Sequence, residues 1–196
     1  MQQGVAAAIA IGSNLGDRAG HVEFALARLG ELRETALLAC GPVIETQPVA
    51  RPGAGNVAAG AGGVEGDPAE GLGGPFLNTA VMVRTTLSPR ELLCELHAIE
   101  AERGRVRSAS LAWMARTLDL DLLVYGDWIV RSAGSDALVL PHPRMHERRF
   151  VLEPLACIAP DLLVAGLNRT VRELLDALDR AQPHGRATGM GERMLR

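Results

Sequence analysis

The segment RTLDLDLLVY, residues 116–125, places Asp119 and Asp121 inside an otherwise leucine-rich run. Its length, its apolar character and the YGDW turn signal at its end predict a β-strand. Side chains two positions apart in a strand point to the same face, and at ~3.3 Å of rise per residue their backbones lie roughly 6–7 Å apart. Two like charges on a half-buried surface repel each other and resist desolvation, so we expect a cation between them. The opposite face is expected to be core, formed by Leu118, Leu120, Leu122 and Val124.

Hydrophobic periodicity predicts that strands and helices alternate along the rest of the chain. The order strand, helix, strand, strand, helix, strand is typical of an α+β fold of the ferredoxin-like kind, an α/β sandwich. We expect a βαββαβ core whose antiparallel sheet carries helices on one face, with an added hairpin and C-terminal helices. The predicted strands are 5–11, 36–49, 76–85 and 116–125. A first helix is predicted to start at Asp17, and three more span 88–103, 149–157 and 169–181. The predicted hairpin spans 126–140.

The length of 196 residues predicts a single domain, 1–196. A Gly- and Ala-rich stretch at about 50–74 has almost no large apolar residue, so we expect a flexible insertion there. The tail from about 183 is expected to be loose. Three cysteines are widely spaced in apolar surroundings, which predicts buried free thiols.

The charge pattern narrows the function classes. The formal net charge is −3 and no basic run occurs, which argues against a nucleic-acid partner. No apolar run is long enough to span a bilayer and no signal peptide is evident, so we expect a cytoplasmic protein, without a membrane partner and monomeric. All 20 basic residues are arginine. The chemistry of a Walker-type lysine or a Schiff-base lysine is therefore excluded, and any phosphate must be bound by arginine.

Arginines lie close in sequence to the two aspartates. Arg105 and Arg107 precede the strand, Arg116 begins it, and Arg148 follows in PHPRMHERRF. Paired carboxylates with several arginines suit a polyphosphate bound with Mg²⁺, because Mg²⁺ takes one or two carboxylates together with phosphate oxygens. A D-x-D pair by itself is also typical of nucleotide-sugar glycosyltransferases and polymerase-like palms, and the local pattern leaves these alternatives open.

Five segments in order resemble the hydroxymethyl-dihydropterin pyrophosphokinase family of folate biosynthesis. They are AIGSNLGDR, PFLNTAV, ELLCELHAIEAERGRVR, RTLDLDLLVYG and LPHPRMHERRFVLEPLACIAPDL, between about residues 6 and 165. The resemblance implies a ferredoxin-like fold that binds two small-molecule substrates, ATP and the pterin, with two Mg²⁺ ions. It implies an ATP-dependent enzyme that moves the pyrophosphoryl group of ATP to the hydroxymethyl group of 6-hydroxymethyl-7,8-dihydropterin and releases AMP.

The resemblance also implies site residues. Both metal ions fall to Asp119 and Asp121, which with Arg105 and Arg116 form the implied catalytic set. The implied contacts to ATP are Leu93, His97, Glu100, Arg107, Trp113, Leu122, His142 and Arg148. The implied pterin contacts are Thr46, Pro48, Val49, Phe76, Asn78 and Phe150, with the two phenylalanines stacking on either side of the ring.

The sequence departs from the family pattern before the aspartate strand, where Trp113-Met114-Ala115-Arg116 replaces the usual W-G-P-R. His97 and Ile44 also differ from the usual residues. Two alternatives follow. One is a catalytically impaired relative that binds pterin or nucleotide; the other is a different Mg-dependent nucleotidyl or glycosyl transferase with the same D-x-D.

Overall fold

The computed structural model describes residues 4–48, 74–105, 115–132 and 138–181. Most of the predicted insertion at 50–74 and the predicted tail from 183 lie outside these ranges. The described strands and helices are β1 (Val5–Ser13), α1 (Arg18–Glu31), β2 (Thr35–Cys40), β3 (Ile44–Thr46), β4 (Phe76–Thr85), α2 (Pro89–Glu102), β5 (Asp119–Tyr125), β6 (Val130–Arg131), β7 (Val139–Leu140), α3 (Arg149–Ile158), β8 (Leu163–Val164), β9 (Arg169–Thr170) and α4 (Val171–Ala181). A 3₁₀ turn at Met145–Glu147 precedes α3.

The main sheet is antiparallel, in the order β2–β4–β1–β5, and the short β3 also pairs with β4. This order places the first strand of the βαββαβ core between its third and fourth, as in the ferredoxin-like arrangement. The predicted fold class is confirmed. β5 lies at one edge of the sheet, with β1 as its only strand neighbour within the described residues.

Helices α1 and α2 pack on one face of the sheet, and their starts follow from the sequence. Asp17 caps α1 by accepting a hydrogen bond from the backbone N–H of Gly20. At the start of α2, Ser88 and Glu91 each accept a hydrogen bond from the other's backbone N–H, which is a capping box, and Pro89 occupies the first turn. The buried apolar residues that the two helices contribute to the core on this face are Val22, Ala25, Leu29, Leu92, Leu96 and Ile99.

The second face of the sheet is covered by α3 and α4, so the expectation of helices on one face holds only for α1 and α2. The reason lies in β1 and β4, which are apolar on both faces: Ala8, Ala80 and Met82 are buried against α3 and α4. At Gly41 the chain passes so close to α3 that an added Cβ would lie 2.5 Å from the carbonyl oxygen of Pro154. Small residues in the sheet allow this close approach.

A β-bulge changes the predicted pattern of β5. Leu118, Leu120 and Leu122 are buried on the face of α1 and α2, as expected. Between Leu122 and Val124, however, the pairing with β1 shifts by one residue, so Val124 is buried in the second core, together with Leu123. The assignment of Val124 to the first face is therefore wrong, because a bulge inverts the alternation of side chains beyond it.

Other boundaries differ from the prediction in smaller ways. The segment 36–49 breaks at Gly41-Pro42 into β2 and β3. β5 begins at Asp119, and α4 begins at Val171 because the two preceding residues pair with β8. The predicted hairpin is present as β6 and β7. The three cysteines are free, as expected, but they are exposed rather than buried. Within the described ranges, no helix has both the length and the apolarity to cross a bilayer.

The burial of Leu120 yields a stability prediction. Leu120 is 1% exposed in the first core, whereas Leu38 on β2 is 48% exposed. We expect Leu120→Ala to lower the free energy of unfolding by about 2–5 kcal/mol, because it leaves a cavity. The matched change Leu38→Ala should lower it by less than about 1 kcal/mol. Urea denaturation of both variants measures the difference, and equal losses would contradict the position of β5 in the core.

Candidate active site

The candidate site lies where β4, β1 and β5 run side by side. Gly12 on β1 is paired with Asn78 on one neighbouring strand and with Asp119 on the other. A Cβ added at Gly12 would lie 3.1 Å from Asn78 Oδ1, 3.9 Å from Asp119 Cβ and 3.9 Å from a ring carbon of Phe76. These three side chains therefore converge over a residue that has no side chain. The absence of a side chain at Gly12 lets a carboxylate, an amide and an aromatic ring lie next to one another there.

Asp119 is held by two arginines. Arg105 and Arg116 each donate a hydrogen bond to it, one to Oδ1 and the other to Oδ2. Burial acts to raise the pKa of Asp119, but the two guanidinium groups outweigh it and hold that pKa below its ordinary value. Asp119 is therefore ionised at neutral pH. Both arginines were predicted from the sequence to belong to the site, and the structure brings them together.

Glu100 on α2 supports Arg105 and the edge of β5. Its carboxylate is 1% exposed, accepts a hydrogen bond of 2.6 Å from Arg105 and another of 2.6 Å from the backbone N–H of Leu120. Arg105 also donates to the carbonyl oxygen of Leu118. These bonds satisfy backbone groups of an edge strand that would otherwise lack partners. We interpret Glu100 as a support for Arg105; its predicted contact with ATP stays a prediction.

Asp121 faces Arg148 and His142. Arg148 donates to Asp121 Oδ2 at 3.1 Å, and His142 Nε2 lies 3.9 Å from the same oxygen. Burial lowers the pKa of His142; Asp121 opposes this effect and the charge of Arg148 adds to it. His142 Nδ1 accepts a hydrogen bond from the backbone N–H of Arg144. His142 is therefore a neutral imidazole at pH 7, with Nε2–H directed toward the carboxylate side of the site.

In this structure the negative charges of the two aspartates are neutralised by arginine side chains. The described groups Arg105, Arg116 and Arg148 balance the charges of Glu100, Asp119 and Asp121. The described residues contain no cluster of three or more His, Cys, Asp or Glu side chains able to hold a metal ion. Two carboxylates are nevertheless suitable ligands for Mg²⁺, because phosphate oxygens and water complete its coordination shell when it binds together with a nucleotide. The donor set thus fits a metal that enters with its ligand.

Four of the residues predicted to contact the pterin lie on β3, β4 and α3, namely Thr46, Phe76, Asn78 and Phe150, and Pro48 follows β3. Asn78 donates from Nδ2 to Thr46 Oγ1 at 2.8 Å across the β3–β4 pair, and Thr46 is paired with Phe76. Phe76 and Pro48 are partly buried. Phe150 is also partly buried, against the second core, and its ring centre lies 5.8 Å from the Arg148 guanidinium. Partial exposure leaves both phenylalanine rings available to a ligand.

The described residues predicted to contact ATP lie on α2, on β5 and beside Asp121, where His142 and Arg148 lie. Leu93 and His97 are partly buried on α2, and Leu93 packs against the first core, where Leu122 is 4% exposed. Their contact with the nucleotide stays a prediction. The three predicted site residues outside the described ranges are Val49, Arg107 and Trp113.

Three residues of the site were not assigned a role from the sequence: Gly12, Asn14 and Arg18. Arg18 donates to Glu45 Oε1 at 2.8 Å and to the carbonyl oxygen of Pro75, so it joins the start of α1 to β3 and to the residue before Phe76. Asn14 contacts both Gly74 and Arg116. The segment AIGSNLGDR contributed to the family resemblance, but none of its residues was assigned a role; the available signal for Asn14 was a polar residue directly after a strand.

Comparison with known proteins agrees with this geometry. The family model for 7,8-dihydro-6-hydroxymethylpterin-pyrophosphokinase (HPPK) matches residues 8–160. Proteins named 2-amino-4-hydroxy-6-hydroxymethyldihydropteridine pyrophosphokinase are similar along most of their length. The one from Pseudomonas aeruginosa is 37% identical over 86% of this chain and 89% of its own, and the one from Haemophilus influenzae is 35% identical over 82% and 85%.

Other matches cover a smaller share of the matched protein. The Synechocystis protein of the same name is 45% identical over 53% of this chain, and this chain spans about half, 51%, of its length. Among solved structures, HPPK-DHPS of Plasmodium falciparum matches with a TM-score of 0.66 at 15% identity, over 93% of this chain and 45% of the other. At that identity the structural likeness shows the fold alone. The family model and the two long matches show that the chain belongs to the 7,8-dihydro-6-hydroxymethylpterin-pyrophosphokinase family.

Proposed function

We propose that this chain transfers the pyrophosphoryl group of ATP to the hydroxymethyl group of 6-hydroxymethyl-7,8-dihydropterin, as a step of folate biosynthesis. The observation that carries the proposal is the convergence of Asn78, Phe76 and Asp119 over Gly12. An amide and an aromatic ring suit a flat heterocycle with hydrogen-bonding edges, and the adjoining carboxylates and arginines suit a polyphosphate. The two substrates would therefore meet at one point of the sheet.

The reaction joins the hydroxymethyl oxygen to the β-phosphorus and breaks the bond between that phosphorus and the oxygen that leaves with AMP. As the new O–P bond forms, the hydroxyl proton passes to water or to a phosphate oxygen, and AMP leaves with the electron pair of the broken bond. Arg105, Arg116 and Arg148 would bind phosphate oxygens and stabilise the charge that develops on them. Asn78 and Thr46 would orient the pterin edge. Positioning supplies most of the remaining catalysis.

We further propose that Asp119 and Asp121 hold two Mg²⁺ ions, which would neutralise phosphate charge and orient the oxygens of the triphosphate. The support is the donor set: two carboxylates on one face of β5, each also paired with arginine. The charged groups described around them sum to zero, so a nucleotide neutralised by divalent ions enters without a charge imbalance. We propose also a cytoplasmic monomer with one domain, 1–196, and small-molecule substrates.

A product assay tests the activity. Purified protein with MgATP and the hydroxymethyl-dihydropterin should form AMP one-for-one with the pterin diphosphate, because the leaving group is AMP. Chromatography that resolves AMP, ADP and pyrophosphate measures it. Release of pyrophosphate would instead favour a nucleotidyl transferase. Binding of both ligands without AMP would favour the catalytically impaired relative, with its altered Trp113-Met114-Ala115-Arg116 segment.

Removal of Asp121 tests the metal assignment. Asp121→Ala should lower turnover by at least about 100-fold, because the Mg²⁺ ion that would neutralise phosphate charge loses a carboxylate ligand. Its pair with Arg148 is partly exposed, so the free energy of unfolding should change by no more than about 1 kcal/mol. The control is Asp127→Ala, at an exposed aspartate just after β5. Full Mg²⁺-dependent activity of Asp121→Ala would contradict the assignment.

Substitution of Gly12 tests the meeting point of the substrates. Gly12→Leu should raise the KM for the pterin by about 10-fold or more, because its side chain fills the space between Asn78 and Phe76. Gly30→Leu is the control, since an added Cβ at Gly30 meets nothing within 4 Å. Steady-state kinetics of both variants measure the effect. An unchanged KM in Gly12→Leu would place the pterin elsewhere.

A further inference from the structure

Asn14 is a buried polar residue that immediately follows β1. It is 2% exposed, and the reaction proposed above gives it no role. Buried amides are normally fully hydrogen-bonded, so its partners show what it holds in place. Among the described partners of Asn14 are two residues far apart in sequence, Gly74 and Arg116.

On the side of β5, Asn14 makes two hydrogen bonds with one residue. Its backbone N–H donates to the carbonyl oxygen of Arg116 at 3.0 Å, and its side-chain Oδ1 accepts from the backbone N–H of Arg116 at 2.7 Å. The side-chain oxygen thus replaces the backbone carbonyl that normally accepts this hydrogen bond in an antiparallel strand pair. It does so because the backbone carbonyl of Asn14 is engaged on the other side.

On the side of β4, that carbonyl oxygen accepts from the backbone N–H of Gly74 at 3.2 Å. Asn14 Nδ2 also makes a long contact, 3.5 Å, with the carbonyl oxygen of Gly74. Asn14 thus continues the sheet for one step beyond β1 and holds a segment on each side of it. A side chain with both an acceptor and a donor on a short stem is needed for this, which asparagine provides.

The two segments lead directly to the two halves of the site. Gly74 lies two residues before Phe76 and four before Asn78, on the strand assigned to the pterin. Arg116 contacts Asp119 and belongs to the phosphate side. The backbone of the neighbouring Ser13 is paired with Leu77 on β4, but the described hydrogen bond of its side chain runs only toward the phosphate side, where Oγ donates to the carbonyl oxygen of Thr117 at 2.6 Å.

We propose that Asn14 is a positioning residue that couples the pterin site to the nucleotide site. The inference rests on the proposed function and names the group through which its two substrates act on each other. When one ligand orders its own segment, the bonds through Asn14 order the other segment, so the second ligand binds more tightly. Coupling of this kind is reciprocal and typically changes affinity by roughly 5–150-fold.

Calorimetric titration of the full chain measures the coupling directly. The probes are 6-hydroxymethyl-7,8-dihydropterin and the unreactive nucleotide α,β-methylene-ATP with Mg²⁺. In the wild type, the nucleotide should tighten pterin binding by about 10-fold or more, and the pterin should tighten nucleotide binding by the same factor. In Asn14→Ala this factor should fall to about 2-fold or less, while each ligand alone binds within about 3-fold of the wild type.

Ser13→Ala is the matched control. It also removes a hydrogen bond from a fully buried side chain, but only toward the phosphate side, so it should keep a coupling factor of about 5-fold or more. If Asn14→Ala does not fold, Asn14→Asp serves instead. It keeps the acceptor for Arg116, presents an oxygen to the carbonyl of Gly74, and should likewise lose the coupling.

The outcomes separate the two levels of the proposal. Unchanged coupling in folded Asn14 variants would overturn the positioning role and leave the proposed function intact. Equal loss of coupling in Ser13→Ala and Asn14→Ala would also overturn it, since a general loosening of the strand end would explain both. A wild type that binds neither probe would contradict the proposed function itself.

Discussion

The ionised state of Asp119 in a largely buried position depends on the guanidinium groups that face it. Burial raises the pKa of this carboxyl, and Arg105 and Arg116 reverse the effect. Those arginines depend in turn on Glu100 and on Asn14, which fix the segments that carry them. The site is therefore a charge network supported by buried polar groups at the edge of a sheet. Its apolar surroundings strengthen each of these interactions.

The small residues of β1 are the second condition for the site. Gly12 and Ala10 lie opposite Asp119 and Asp121 on one side, and opposite Asn78 and Ala80 on the other. Large side chains at these positions would fill the space above the sheet. The same apolar strand that forms the centre of the fold thus provides the floor on which two substrates would meet. Packing and function impose the same requirement on this strand.

Local sequence signals predicted much of this fold. The apolar run of β4 and the Ser-Pro-x-Glu start of α2 each mark an element through nearby residues, and both elements were placed to within a residue or two. The face of Val124 was missed because a bulge depends on pairing with β1, which a single strand does not reveal. The second helical layer and the exposure of the cysteines also depend on tertiary packing.

For the site, the paired aspartates and nearby arginines predicted which charges meet, but not how they are arranged. The structure adds the arrangement: Arg105 contacts Asp119 and Arg148 contacts Asp121, from positions 14 and 27 residues away that only the fold brings together. Gly12 gave no chemical signal of its own, and Asn14 gave only that of a polar residue directly after a strand. Their importance comes from neighbours on two adjacent strands, which no local pattern contains.

We propose that the arginines exchange the aspartates for phosphate when the nucleotide binds with its metal. A crystal structure of the chain with α,β-methylene-ATP and Mg²⁺ measures this exchange. We expect Mg²⁺ at about 2.0–2.1 Å from oxygens of Asp119 and Asp121, with Arg105 and Arg116 bonded to phosphate oxygens. A bound nucleotide with both arginines still paired to Asp119, and no metal at either carboxylate, would contradict it.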